Sequence, residues 1–577
     1  MDDPARDDAR PSTTTVAFVV GAAVVVALVR WWVSRARAVF HMNPDEPGQL
    51  AIARFVGGGT RWNMFDHSTW RPGYATLISP IGWFTDDPAS AFHAALVVNA
   101  LLGGCSVVLL YLLARRLTAL GAGWSVIAAL AVSLAPALLF TTDWVWSEAL
   151  VQVAFLACVL VALRFVERPS LRAGLGMGAL AAVGFAAHSR LLPLSVVVIG
   201  LGVIAGVRRW LPPTRAIGVV VWVVALDAVV SWYSSWIVSR VWDAPRSTNT
   251  AGSVLGRLGK VSAIGVSTAG QIWYQLVATV GLAGIGALAL ARSARRRDAT
   301  TDEPGRRPTV GAARLVLVTA GLTMALSIVF MSDRWRPDQL VYGRYNDPAF
   351  APILLAGIGA LVLARPARLL RDAAVVVGVL AVTGTVLRIL RDDELQASGG
   401  VRPMVLGLIG YVREAPGIRV VGITVTAALL VTGIVAMSIV ARGRARGALV
   451  LVGVSVLLAT GFVRTRDVVD RGTNGWGIAD GMASIAAVLP EDVAVREKLV
   501  PQSEDPSANW SQQRLRSMLY QYYLPHNALY RDGASDQPAT PYVFAPLGDP
   551  DLLAAGAEVV WRDPGVSIGL WKEPAPP

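Results

Sequence analysis

"VAFVVGAAVVVALVRWWVSRARAVFHMNPDEPGQLAIARFV" (Val16–Val56) decides how the whole chain is read. Its first half is an apolar run long enough to cross a bilayer, whose hydrocarbon core of ~30 Å takes about 20 helical residues. Its second half opens with two adjacent carboxylates, Asp45 and Glu46, between Pro44 and Pro47. Carboxylates in lipid are costly, so this pair belongs at the mouth of the membrane segment. Pro47 suits the first turn of a helix, with Asp45 or Glu46 near its positive amino end. The segment "PGQLAIARFV" is too short to span and is expected to lie along the interface.

The rest of the chain repeats the first half of that pattern. Of 577 residues, 54% are hydrophobic and 16% charged, with a mean hydropathy of +0.51. The expected fold class is an all-α polytopic membrane protein of about 13 transmembrane helices. The spans fall near 15–38, 90–114, 119–141, 146–166, 172–188, 191–207, 215–238, 271–291, 312–331, 349–364, 372–388, 419–441 and 447–463. The spans at 172–188, 349–364 and 372–388 are short. The module divides into an N-terminal tail (1–14), a membrane region (15–463, with a first external loop at 39–89) and a C-terminal region (464–577).

The net charge is +12, and only Lys260, Lys498 and Lys572 among the 52 basic residues are not Arg. The Arg clusters lie between apolar runs, so they read as topology signals and contacts to membrane lipids, not as a nucleic-acid surface. Alternate connections carry them: Arg115–Arg116, Arg164–Arg172, Arg208–Arg215, Arg292–Arg307, Arg365–Arg371 and Arg442–Arg446. With these cytoplasmic, the acidic, aromatic and His-bearing loops are external, and so is the region beyond 464. Cys105 and Cys158 each sit inside an apolar run, where neither a disulfide nor thiol chemistry is expected. The region 464–577 has mixed polarity. The strand-like pieces "DVAVRE", "NALYRD", "PYVFAP", "AEVVWRD" and "VSIGLWKE" accompany a helix at "SANWSQQRLRSMLYQYYL", which predicts a small extracytoplasmic α/β domain.

Four external stretches concentrate chemistry. The first holds Asp45 and Glu46. "FTTDWVWSEAL" (140–150) contributes Asp143 and Glu148. "AAHSRLLPL" (186–194) contributes His188 and Arg190. "MSDRWRPDQLVYGRYNDPAFAP" (331–352) contributes Arg334, Arg336 and Arg344 beside Tyr342 and Tyr345. Carboxylates and guanidiniums on one membrane face suit a reaction in which an acceptor hydroxyl loses a proton while an anionic leaving group departs. A carboxylate takes the proton, and Arg neutralises phosphate oxygens with paired hydrogen bonds. None of the five His pairs with another ligand at helical spacing, so no dedicated zinc site is expected.

These residues resemble the GT-C superfamily of polyprenyl-phosphate-sugar glycosyltransferases. The nearer likeness is to the protein O-mannosyltransferase and aminoarabinose-transferase type and to actinobacterial arabinosyl- and mannosyltransferases of the cell envelope. "NPDEPGQLAIARFV", "WRPGYATLISPIGWFTDDPASAFHAALVVNALLGG", "SEAL", "HSRLLP" and "GRYNDPAFAP" carry it, over roughly residues 15–360. The resemblance implies a multi-pass bacterial plasma-membrane enzyme with an extracytoplasmic site. It implies transfer, with inversion, from a polyprenyl-phosphate sugar donor to an extracytoplasmic glycan, lipid or protein acceptor. By that likeness Asp45 is the base, with Glu46 its neighbour or substitute. Arg344 contacts the donor phosphate with Tyr345, and Arg190 and His188 are secondary candidates for that role. Asp143, Glu148, Trp70 and Arg71 shape the acceptor or sugar pocket. No cofactor is implied; Arg supplies the positive charge, so a divalent metal is not favoured.

Alternatives stand beside this reading. Asp86–Asp87 is a second acidic pair in the first loop, although "TDDPAS" also reads as a helix-start cap. Trp144, Trp146, Trp232, Trp236 and Trp242 read most simply as interface-belt aromatics. Asp227 lies inside a span and reads as a hydrogen-bond node. A lipid-linked-sugar transporter or flippase is the competing activity. It would be expected to show repeated halves and mid-membrane ionisable groups, and no repeat is visible. A non-catalytic scaffold is the third reading.

Overall fold

The computed structural model describes residues 12–37, 40, 45–59, 71–241, 256–295, 310–332, 336–397, 403–411, 417–441, 445–450, 452–454, 463, 484–498, 512–531, 539–563 and 567–574. Most of these residues lie in helices, as an apolar environment demands. Without water in the hydrocarbon, every backbone N–H and C=O must be satisfied within its own segment. Among the described residues eight helices are long and apolar enough to cross a membrane, or nine if one bent pair counts as a span. The full count of thirteen is therefore not established. The other expected spans fall on the shorter apolar helices Ala122–Ser133, Leu171–Ala187, Asp347–Leu363 and Ala445–Val454. The expected short span at 372–388 is instead the middle of a 31-residue helix, Pro366–Gln396.

Local chemistry sets the helix starts. The first span, Thr13–Ser34, has 22 residues and begins where Ser12 accepts a hydrogen bond from the Thr15 N–H; at 1.5 Å per residue it is ~33 Å long. The Pro88–Leu117 helix starts on Asp87, which accepts from the Ser90 N–H at 2.8 Å, with Pro88 in the first turn. It ends with Arg115 and Arg116 in its last turn, where cations complement the helix dipole. These two helices pack side by side.

The bent pair is Val261–Ala278 and Leu282–Ala294, which diverge by 105°. The turn uses Gly281 at φ +72°, a left-handed conformation that costs Gly nothing. The second half of the pair then packs tightly on Asp347–Leu363. Gly286 faces the Ile353 carbonyl and Gly357 faces the Leu282 carbonyl so closely that a Cβ on either would collide with backbone. Small residues at such a crossing let backbones approach and gain dispersion contacts, the main attraction left between helices in lipid.

The C-terminal region forms a five-stranded mixed sheet at the places the alternating patterns predict: β1 (Val495–Glu497), β2 (Leu529–Arg531), β3 (Tyr542–Pro546), β4 (Glu558–Arg562) and β5 (Ile568–Lys572). The order is β2-β1-β3-β5-β4. β1 runs parallel to β2 and β3, whereas β3–β5 and β5–β4 are antiparallel. The helix Gln512–Tyr523 lies on it, with Tyr520 stacked on Phe544 at 4.4 Å and its hydroxyl donating to Asp563 at 2.6 Å.

Candidate active site

The opening motif folds as the helix Asp45–Val56, with both acidic residues in its first turn. At 12 residues it extends ~18 Å and does not span. Consecutive helical side chains point ~100° apart, so the pair splits. Glu46 is fully buried, whereas Asp45 keeps 22% of its side chain exposed.

Glu46 is consumed by structure. Arg37, itself buried, grips it with two donors, Nη2 to Oε2 at 3.0 Å and Nη1 to Oε1 at 3.2 Å. Oε1 also accepts the Val145 N–H at 2.8 Å, and Arg37 Nη1 donates to the Asp143 carbonyl. The short helix is thus tied to the 143–147 turn. A second tie comes from Asn99, fully buried in the Pro88–Leu117 helix. It accepts from the Tyr74 hydroxyl at 2.7 Å and donates to the Trp144 carbonyl at 2.8 Å.

Beside this scaffold four charged groups alternate in sign. Arg190 Nη1 donates to Glu148 Oε1 at 2.9 Å, and both side chains are 1% exposed. Arg344 Nε donates to the same Oε1, and Arg344 Nη1 donates to Asp45 Oδ2. The line Arg190–Glu148–Arg344–Asp45 joins residues 299 positions apart at its Asp45–Arg344 end. Burial alone would weaken the Arg344 cation, but Glu148 and Asp45 outweigh it and hold the guanidinium more firmly protonated than a free one. Arg190 Nε and Nη2 and Glu148 Oε2 are buried without a hydrogen-bond partner.

The stretch "GRYND" places Arg344. Gly343 packs against Tyr274 so closely that a Cβ would enter its ring. Asn346 donates to Gln271 at 2.8 Å, while Asp347 accepts from Tyr274 at 3.1 Å and Gln275 at 3.0 Å. The turn is therefore bolted to the Val261–Ala278 helix on both sides of the arginine.

Aromatic rings wall the charges. Arg344 lies 3.8 Å over the Trp146 ring and Arg190 4.9 Å over Tyr345. Trp144 and Trp146 are 2% and 1% exposed, which corrects their reading as interface-belt residues. Trp232 and Trp236 are outward-facing at 67% and 41%, and Trp242 lies outside the described residues. His188 stands edge-on to Tyr345 at 5.2 Å, and its Nδ1 accepts the Arg190 N–H at 3.1 Å. Burial, then the Arg190 and Arg344 charges, push His188 well below its ordinary range, so the imidazole is neutral.

The remaining candidates lie around this centre. Arg71 sits 4.0 Å over Phe185 and donates to Ser234 at 3.1 Å, and its charge is one of those that disfavour a proton on His188. Asp143 is buried behind Arg37, with Arg30 as a charged neighbour. Arg30 is itself a buried cation inside the first span, donating to the Ser133 carbonyl at 3.2 Å. Asp227 is half-buried, with Arg71 nearby. Asp86 and Asp87 are exposed, and Asp87 caps a helix. Arg336 pairs with Asp338 through two bonds of 3.0 Å. Trp70 and Arg334 lie outside the described residues. Among the described residues no group of three or more His, Cys, Asp or Glu side chains is arranged to hold a metal ion.

No family model and no curated protein matches the sequence. Among solved structures, the chain is similar to ArnT from Cupriavidus metallidurans bound to undecaprenyl phosphate, at TM-score 0.53 and 17% identity over 96% of this chain and 98% of that one. Apo ArnT from the same organism gives TM-score 0.52 and 17% identity over 96% and 97%. The arabinosyltransferase EmbB from Mycobacterium smegmatis gives TM-score 0.45 and 16% identity over 86% and 46%. At such identity the ArnT likeness is one of fold: the chain shares the arrangement of membrane helices seen in that protein.

Proposed function

We propose that the chain is a membrane glycosyltransferase. It moves a sugar from a polyprenyl-phosphate donor to an acceptor hydroxyl with inversion, and Asp45 is the general base. The observation that carries this reading is the buried line of charges in which two guanidiniums share one carboxylate while Arg190 keeps two donors unspent. Such donors are expensive to bury unless a ligand meets them, and a phosphate with its several acceptor oxygens fits. The ArnT fold supports the same choice, because that protein was solved with undecaprenyl phosphate.

In this mechanism Arg344 pairs with Asp45 while the site is empty. An arriving donor phosphate takes over Arg344 Nη1 and the free donors of Arg190, which releases the partly exposed Asp45 carboxylate. The acceptor hydroxyl then attacks the anomeric carbon from the face opposite the phosphate. Its proton goes to Asp45, the new carbon–oxygen bond forms, and the old one breaks with its electron pair passing to the phosphate oxygen. Glu148 holds both guanidiniums in register throughout. Glu46 serves as an anchor, and no proton passes through it. The neutral His188 adds no third charge to the phosphate site. An external orientation of this site and of the C-terminal sheet belongs to the same proposal.

The test is transfer of labelled sugar from a synthetic polyprenyl-phosphate donor to cell-envelope acceptor fractions by the purified chain. Loss of a general base slows a reaction by about 10²–10⁴, so Asp45→Asn should fall by that factor with expression intact. Wild-type turnover in that variant would refute the assignment.

A further inference from the structure

The C-terminal sheet meets the membrane bundle through the end of one helix. Tyr520 binds the Gln512–Tyr523 helix to the sheet, by its stack on Phe544 and its hydrogen bond to Asp563. Two residues later the same helix turns to the bundle. The Tyr522 hydroxyl donates to the Pro88 carbonyl, and its ring meets Phe40 edge-on at 5.4 Å. Arg54, in the last turn of the Asp45–Val56 helix, donates to the carbonyls of Gln521 at 3.0 Å and Leu524 at 3.4 Å. Those oxygens belong to the C-terminal end of a helix, where carbonyls lack intrahelical partners and the dipole is negative. A guanidinium is the complement of that end. Gln521, Tyr522, Tyr523 and Leu524 are all buried, so the contact is sealed against water.

We propose that the C-terminal module works as a rivet that fixes the helix bearing Asp45, with Arg54 and Tyr522 as positioning residues. The Asp45–Val56 helix is too short to hold itself by propensity, since isolated helices below about 12–15 residues are marginal. One end is held by Arg37 and Val145 through Glu46. The middle of the helix is buried and Phe55 meets the Trp236 ring at 6.0 Å, while Arg54 adds the tie that reaches the module. Loosening that tie tilts the helix axis and with it the direction in which Asp45 points. The significance of Asp45 as base rests on the function proposed above; the mechanical link does not.

The experiment is hydrogen exchange of the full chain in lipid nanodiscs, with transfer kinetics in parallel. Arg54→Ala should speed exchange of amides in 45–56 about tenfold, and leave 148–167 and 347–363 unchanged. Tyr522→Phe, which keeps the ring and removes one hydroxyl, should do the same to a smaller extent. In both, kcat should fall while KM for the donor holds, because Arg190 and Arg344 are untouched. Unchanged exchange in 45–56 overturns the rivet; faster exchange with unchanged kcat, where Asp45→Asn is inactive, overturns Arg54 and Tyr522 as positioning residues. Faster exchange together with full activity of Asp45→Asn would uphold the rivet and sink the base assignment instead.

Discussion

Glu148→Gln isolates the electrostatic core. The substitution keeps shape and one acceptor oxygen but removes the charge shared by Arg190 and Arg344. Both guanidiniums donate to the same oxygen, so two hydrogen-bond lengths cap the gap between their nearest nitrogens at about 6 Å. At an effective dielectric of about 20, two unit charges at that separation repel by ~3 kcal/mol. In the wild type Glu148 more than cancels this; in the variant Asp45 still offsets Arg344, but Arg190 loses its carboxylate while its side chain stays 1% exposed. The loss should therefore fall in the range of ~3–5 kcal/mol found when one partner of a buried ion pair is removed. Asp45→Asn is the control. Asp45 is 22% exposed and Arg344 retains Glu148, so its cost should stay below ~1 kcal/mol. The assay is reversible unfolding in mixed micelles, followed by tryptophan fluorescence, since Trp146 lies against Arg344. A second variant, Glu148→Gln with Arg190→Gln, removes the excess cation and should recover about half of the lost stability. If Glu148→Gln unfolds within ~1 kcal/mol of wild type, the shared-carboxylate geometry is wrong.

Arg190→Lys keeps the charge but surrenders the unspent guanidinium donors, so KM for the lipid donor should rise at least about tenfold, measured by initial rates. His188 binds its proton less readily folded than unfolded, so stability should fall as pH drops below about 6.5, by up to ~1.4 kcal/mol per pH unit. His188→Gln should flatten that slope in unfolding titrations between pH 7 and 5; an unchanged slope contradicts the neutral imidazole. Gly357→Ala places a methyl against the Leu282 carbonyl and should destabilise the bundle by ~1–3 kcal/mol, read in the same unfolding assay.

The charges that meet in the site were legible because membrane chains place ionisable groups sparingly. Asp45, Glu148, Arg190 and Arg344 stand out against 54% hydrophobic residues, and few other roles suit them. Their supports were not legible. Arg37 sits in "RARAV", where an arginine beside a span reads as a boundary marker, and nothing local reveals that it turns inward to Glu46. Arg30 and Asn99 are single polar residues in long apolar runs, whose partners come from segments 103 and 45 positions away. The unequal burial of Asp45 and Glu46 depends on the rotational setting of one short helix, which sequence periodicity over twelve residues leaves open. Trp144 and Trp146 misled for a related reason: an aromatic near a span end can face lipid or a neighbouring ring, and composition is the same in both cases. Hydropathy alone does not fix the span count where helices are bent or short, since tertiary packing sets those lengths.

The Asp45–Arg344 pair also sets a timetable for biosynthesis. Its members are 299 residues apart, so at ~5–20 residues per second the ribosome needs about 15–60 s after making the first before it supplies the second. For that interval Asp45 waits at the membrane without its partner, and the aromatic walls have nothing to close around. Chaperones and membrane proteases that survey nascent chains meet the protein in that half-neutralised state, so its abundance in the cell should be unusually sensitive to translation speed through the first 344 codons.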